Sequence, residues 1–283
     1  MKLERNIHTF IGCDSFYEES RIVIFGAPFD GTASYRPGSR FAPAEIRKES
    51  FGIETYSPYQ DKDLLDISVF DGGDLELPFG NTPRALEDIE KYSEGIIQDG
   101  KIPCMIGGEH LVTLGAVRAM IRKWPELNIL HFDAHADLRD EYLGEPLSHA
   151  TVMRRCFEIL GEGKIYQFGI RSGDREEFLF AEGRVRQRKF DLDGIGKVME
   201  ELGDKPVYLT LDLDVLDPSQ FPGTGTPEAG GVSFKELLSA LLQVKRLNIV
   251  GLDMNELSPA YDQSGISTAL ACKLLRELLL IVG

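Results

Sequence analysis

Histidine is scarce in this chain, with five residues among 283. Tryptophan occurs once and cysteine four times, and basic side chains fall short of acidic ones by 31 to 46, a formal net charge of −15. Each shortage excludes something. The deficit of positive charge argues against nucleic-acid binding, which needs a basic face to neutralise phosphates. It argues equally against docking on anionic lipid, whereas a small cationic ligand would be drawn to such a surface. Cys13, Cys104, Cys156 and Cys272 lie far apart with no C-x-x-C pair. That suits free thiols in a reducing cytosol better than a disulfide framework or a zinc knuckle. The opening Met1 to His8 holds no continuous apolar stretch of the signal-peptide kind. No run reaches the roughly 18 apolar residues of a membrane span, and Leu278 to Val282 is too short. A cytoplasmic protein is expected.

What is present is a 42% apolar composition, enough for one large core. Short β-rich runs alternate with helix-length segments. Strands are expected at Ile22–Phe25, Asp66–Phe70, Ile102–Ile106, Asn128–Phe132, Ile165–Phe168, Val207–Leu211 and Asn248–Leu252. Thr82 as N-cap with Pro83 at the first helical position opens a helix that Gly100 stops. Further helices are expected at Leu111–Arg122 and near 151–160, 194–202, 233–244 and 266–281, with Trp124 before Pro125 ending the first of these. Strands joined by helix-length crossovers imply a mainly parallel sheet covered on both faces. No linker, repeat or charge block divides residues 1–283, so a single α/β domain is expected. The glycines of Pro222 to Pro227 lack the strand-turn-helix setting of a phosphate cradle.

Four of the five histidines, His110, His131, His135 and His149, fall within 40 residues. Asp133-Ala134-His135-Ala136-Asp137 directly follows one expected strand. Gly107-Gly108-Glu109-His110 follows a second, and Asp212-Leu213-Asp214 a third. In open parallel sheets the carboxyl ends of strands are where ligands bind. Six ligands, His110, Asp133, His135, Asp137, Asp212 and Asp214, suit a pair of divalent ions, because four clustered carboxylates without cations would be driven to keep protons. Hard oxygen with imidazole and no thiolate favours Mn²⁺, with Fe²⁺, Co²⁺ or Zn²⁺ as alternatives. Two such ions would acidify a shared water. An EF-hand is excluded, since the loop from Asp212 has no Gly at its sixth position and Gly223 stands at its twelfth. His149 is a candidate proton shuttle, and Glu256 a candidate holder of a cationic group. His131 reads as structural or as a support for a ligand, and His8 as a surface residue. No G-x-S-x-G elbow or catalytic cysteine signature occurs.

These motifs resemble the ureohydrolases (arginase, agmatinase and relatives). The likeness begins at Arg36-Pro-Gly-Ser-Arg-Phe-Ala-Pro-Ala-Glu-Ile-Arg47, continues through Gly169-Ile-Arg-Ser-Gly173 and ends at Glu256-Leu-Ser-Pro-Ala-Tyr-Asp-Gln-Ser-Gly265. Leu138 to His149 is most similar to bacterial agmatinases. The resemblance implies a three-layer α/β/α fold, two Mn²⁺ ions and a trimer or hexamer. It implies that His110, Asp133, Asp137 and Asp214 hold one ion, and Asp133, His135, Asp212 and Asp214 the other, with Asp133 and Asp214 shared. His149 then matches the family's proton-shuttling histidine and Glu256 the glutamate that receives the guanidinium. Asn255 departs from the pattern, where an aliphatic residue is expected. Asp140 and Glu145, in the loop before His149, suit an amine tail rather than a carboxylate. Arg139 points the other way, unless Asp140 or Glu141 ties it up. The expected reaction is hydrolysis of agmatine to putrescine and urea, with Asp214, His149 and Glu256 as catalytic groups. Guanidinobutyrate, arginine, formiminoglutamate and a non-enzymatic polyamine-binding protein are the alternatives.

Overall fold

β-branched and aliphatic residues that alternate toward two sides, joined by amphipathic crossovers, can satisfy both faces only by being sandwiched between helices. A computed structural model describes residues 8–283 and shows that arrangement. Residues 1–7, most of the segment read for a signal peptide, lie outside the described residues.

In chain order the strands are β1 (Ile22–Gly26), β2 (Tyr56–Ser57), β3 (Lys62–Asp63), β4 (Val69–Asp74), β5 (Ile102–Ile106), β6 (Asn128–Phe132), β7 (Ile165–Ile170), β8 (Arg186–Lys189), β9 (Pro206–Asp212) and β10 (Asn248–Asn255). The helices are α1 (Ala42–Glu49), α2 (Thr82–Gln98), α3 (Thr113–Lys123), α4 (Val152–Leu160), α5 (Arg175–Ala181), α6 (Ile195–Leu202), α7 (Phe234–Val244) and α8 (Ile266–Val282). Eight strands form one sheet in the order β4-β1-β5-β10-β9-β6-β7-β8, and every neighbouring pair is parallel. β2 and β3 make a separate antiparallel pair.

Alternate residues of each strand feed two cores. Ile22, Ile24, Leu130, Phe132, Leu209 and Leu211 pack on one side with α1, α6, α7 and α8. Val23, Phe25, Met105, Ile129 and Ile165 pack on the other with α2, α3, α4 and α5. The expected three-layer α/β/α fold is what the chain adopts. Among the described residues no helix is long and apolar enough to cross a membrane.

Three boundaries differ from expectation. Residues 64–66 form a short 3₁₀ turn capped by the Asp63 side chain, so the strand expected from Asp66 begins at Val69. Asn81, not Thr82, caps α2, its side-chain oxygen accepting the Arg84 N–H at 3.1 Å. The helix expected from Leu111 is preceded by a 3₁₀ turn over His110–Val112 and becomes α-helical at Thr113.

Candidate active site

The four central strands of the sheet, β5, β10, β9 and β6, are adjacent. Their carboxyl ends carry His110, Glu256, Asp212 with Asp214, and Asp133 with His135 and Asp137. Sheet order therefore converts motifs up to 146 residues apart into neighbours. Close approach of the connecting loops needs glycine at Gly108, where a Cβ would overlap the Phe29 carbonyl. The same contact lets Glu109 N–H donate to the Phe29 oxygen and Glu256 N–H to the Gly108 oxygen, at 2.8 and 2.9 Å.

His110 is the most informative side chain. It is buried, and its Nδ1 lies 3.0 Å from Asp133 Oδ2, 3.1 Å from Asp137 Oδ2 and 3.4 Å from Asp212 Oδ2. Its Nε2 faces the Thr210 hydroxyl at 2.9 Å. With Nε2–H donated to Thr210, Nδ1 presents a lone pair to three carboxylates and has no hydrogen-bond partner. A lone pair aimed at carboxylate oxygens is repulsive unless a cation lies between them. On the other side His135 Nδ1 is 2.9 Å from Asp214 Oδ2 and 3.5 Å from Asp133 Oδ1. His110, His131, Asp133 and Asp137 on one side, and Asp133, His135 and Asp214 on the other, each bring one donor atom within metal-sharing reach.

The electrostatics express the same demand. Burial, then Asp133, pushes Asp137 up to about 7. Burial, then Asp214 and Asp133, raises Asp212 well above the usual carboxylate range. Burial opposes charge on His110 and His135, yet the carboxylates around them hold both well above the ordinary imidazole value. Without metal, this cluster gathers protons in place of cations. The donor set fits divalent ions.

Two expectations about ligand sharing and tail recognition change. Asp212, not Asp214, meets the His110 side, because Asp212 Oδ1 accepts the Asp214 N–H at 2.8 Å and so turns Oδ2 toward His110. Asp214 instead faces His135 and accepts the Ala134 N–H at 3.1 Å. Asp140 is exposed and pairs with Arg155 at 2.8 Å, away from the cleft. Glu145 exchanges backbone hydrogen bonds with Tyr142 and lines a neighbouring cavity of about 760 Å³ rather than the ligand cavity. Arg139 is tied up, but by Asp174 at 2.9 Å and Glu177 at 3.4 Å, not by Asp140 or Glu141.

His149 does line the ligand cavity, a space of about 220 Å³ shared with His135, Asp137, Arg139 and Tyr142. Its imidazole is lowered to about 4, by burial first and then by His135. Glu256 is buried with φ of +68°, and its Oε1 accepts the His110 N–H at 2.7 Å. Burial, then Glu109, holds its carboxyl well above the usual range. Asp137 shares the left-handed backbone, with φ of +54°. Of the five non-glycine residues with positive φ among the described residues, these two lie at the site, in positions that the surroundings impose. Asn255, the departure from the family pattern, donates from Nδ2 to Asp253 Oδ1 at 2.7 Å and to the Thr113 hydroxyl at 3.2 Å.

Several participants stand outside the six expected ligands, His149 and Glu256. His131 Nε2 lies 2.7 Å from Asp133 Oδ2. Gln167 donates from Nε2 to His131 Nδ1 and to the Ala136 carbonyl, at 3.0 and 2.7 Å, so His131 carries its proton on Nε2 and donates to Asp133. Arg171 donates to the carbonyls of Asp214, Val215 and Glu228, pinning the loop after β9. Thr32 and Ser34 bond to His149 without any local signature, and Glu109, beside His110, holds Thr32 in turn.

The model of the arginase family matches residues 20–281. The chain belongs to the arginase family. An agmatinase of Bacillus subtilis is 48% identical to it over 275 residues, covering 96% of this chain and 95% of that protein. A crystal structure of a candidate agmatinase from Clostridium difficile superposes with a TM-score of 0.93 at 51% identity, covering 94% of this chain and 98% of that one. The agmatine ureohydrolase of Thermoplasma volcanium gives 0.90 at 37% identity, with 98% and 95% covered. The resemblance read from the motifs is thus shown, and within the arginase family this chain is an agmatinase-like ureohydrolase.

Proposed function

We propose that this protein, as a single domain over its whole length, hydrolyses agmatine to putrescine and urea with two Mn²⁺ ions. The observation that carries the metal reading is the buried His110 Nδ1, without a hydrogen-bond partner and turned toward three carboxylates. His110, Asp133, Asp137 and Asp212 would hold one ion, and Asp133, His135, Asp212 and Asp214 the other, making Asp133 and Asp212 the shared ligands. When bound, the ions supply an acidified water and hence hydroxide near neutral pH.

The chain's own groups do the rest. Glu256, fixed by the His110 N–H, pairs with the guanidinium and presents its carbon to the attacking hydroxide. Asp214 takes the proton of the added hydroxyl and hands it to the nitrogen of the breaking C–N bond, so that it ends the step unprotonated. His149 gives a proton to the departing amine, which must leave as ammonium; burial and His135 make the protonated ring a strong acid that holds its proton only transiently and must be charged in each turnover. Agmatine is favoured among guanidino substrates because Arg139 already faces two carboxylates, Asp174 and Glu177. That cluster carries a formal −1, which attracts an ammonium tail and repels a carboxylate. We place the enzyme in the cytoplasm as a homo-oligomer, trimer or hexamer, to be checked by sizing in solution.

Stripping the protein with EDTA should abolish urea release from agmatine, and Mn²⁺ should restore it. Full activity after stripping would overturn the mechanism. Agmatine, arginine, guanidinobutyrate and formiminoglutamate assayed side by side should rank agmatine first. A higher kcat/KM for any other member of that panel reassigns the substrate, and manganese binding with no turnover of any reassigns the protein as a binding module.

A further inference from the structure

The shuttle histidine sits between two spaces. The inner cavity, about 220 Å³, is lined by two of the proposed ligands, His135 and Asp137, together with His149. The outer one, about 760 Å³, is bounded by residues 31–34, by the start of α2 and by residues 142–148. Ser34 and Tyr142 line both. Ser34 is exposed and its Oγ is 2.9 Å from His149 Nε2. We propose that the Ser34 hydroxyl reloads His149, passing protons from water in the outer cavity to Nε2 of the imidazole. The inference rests on the reading of His149 as the proton donor to the departing amine.

Ser34 is held there by the fold. The Thr32 hydroxyl oxygen accepts the backbone N–H of His149 at 3.0 Å, which ties residues 32–34 to the residue they would serve. Glu109, fully buried, accepts the Thr32 N–H at 3.0 Å and is hydrogen-bonded to the Thr32 hydroxyl. At the far end of the loop Asp30 accepts the Gly38 N–H at 2.7 Å and pairs with Arg40. The loop is therefore braced on both sides of Ser34, and the brace runs back to the residue preceding His110.

The proton count closes. Ionisation of water to hydroxide releases one proton to solvent. Addition and C–N cleavage then leave a neutral amine, which takes one proton from the His149 ring. To restore the ring, the Ser34 O–H bond breaks as an N–H bond forms at Nε2, and the Ser34 oxygen takes a proton from water. One proton has left and one has entered, so no charge accumulates between turnovers. The outer cavity supplies the water that this step needs, and Ser34 lines it.

Ser34 acts through His149 and is a positioning and relay residue, so its test must separate that role from loop support. Ser34→Ala should lower kcat about tenfold or more, the scale of a lost proton-transfer partner, while KM stays within about twofold. Manganese content should match wild type. Ser34→Thr, which keeps a hydroxyl, should recover most of the rate. In a His149→Ala background the Ser34→Ala change should add almost nothing, because the two residues serve one step. An unchanged kcat in Ser34→Ala, or an equal further loss in the His149→Ala background, overturns the relay. If manganese-loaded wild type releases urea while Ser34→Ala behaves identically, only the relay fails. If wild type releases none from any guanidino compound, the functional reading fails and takes the relay with it.

Discussion

A histidine ligates through one nitrogen only when the other is committed elsewhere. For His110 that commitment runs through Thr210, whose hydroxyl lies 3.4 Å from that of Thr113, which in turn donates to Asp253 beneath the site. Asp253 is fully buried and accepts the Tyr208 hydroxyl at 2.7 Å, the Thr113 hydroxyl at 2.8 Å and the Asn255 amide at 2.7 Å. Asn255 thus replaces an expected aliphatic residue in order to serve this carboxylate. Asp253→Asn would face a donor with a donor. It should cost about 1–3 kcal/mol of stability and weaken Mn²⁺ binding about 10–100-fold, read by thermal unfolding and by calorimetric titration. Equal affinity in the variant would mean that His110 is oriented by packing alone. The metal ligands were legible in the sequence because strand-end motifs keep them within a few residues of one another. Asp253, Thr113, Thr32 and Ser34 were not, since, Asn255 beside Asp253 apart, their partners lie 45 to 142 residues away and sheet order alone brings them together.

Elements succeed or fail as a unit at the carboxyl edge of the sheet. Gly108 joins the loops after β1, β5 and β10, with the Phe29 oxygen where its Cβ would be. Gly108→Ala must push the β1 loop away, which should cost about 3 kcal/mol, the upper end of single-residue effects. It should also lower metal occupancy more than a Gly52→Ala control, where a Cβ meets open space. Matching losses in the two variants, measured by thermal unfolding and elemental analysis, would remove the loop contact from the argument. Most of the sheet was legible because its central strands are apolar on both faces and read as continuous runs. β8 was not, since Arg186-Gln187-Arg188-Lys189 is an edge strand with little buried surface. Helix α5 escaped too, being seven residues long and started by a capping box of Asp174 and Glu177 rather than by a long apolar stripe. The Thr82 cap was misplaced by one residue because Asn81 and Thr82 are both competent caps and only the backbone geometry chooses.

For the molecule as a whole, a net charge of −15 with buried aspartates in the site makes cation loading a term in folding stability. An ion that binds only the folded state adds about 2.7 kcal/mol at a hundredfold excess over its Kd. For a chain of this size that corresponds to a rise in Tm of about 4–5 °C. Its pH dependence follows from which groups must lose protons first. Asp137 stands at about 7, far above its unfolded value, so in the metal-free fold its proton is retained at pH 6 and lost by pH 8. The carboxylates around His110 and His135 likewise hold protons on both imidazoles. Metal displaces these protons, so its affinity must fall as pH falls through that window, by about tenfold per pH unit for each proton displaced. The gap in Tm between Mn²⁺-loaded and EDTA-stripped protein should therefore widen from pH 6 to pH 8 at fixed free Mn²⁺. Titration in buffers of different ionisation enthalpy should show net proton release. A gap that stays constant or narrows with rising pH would place the cation on groups already deprotonated, and so away from the cluster of His110, Asp137 and His135.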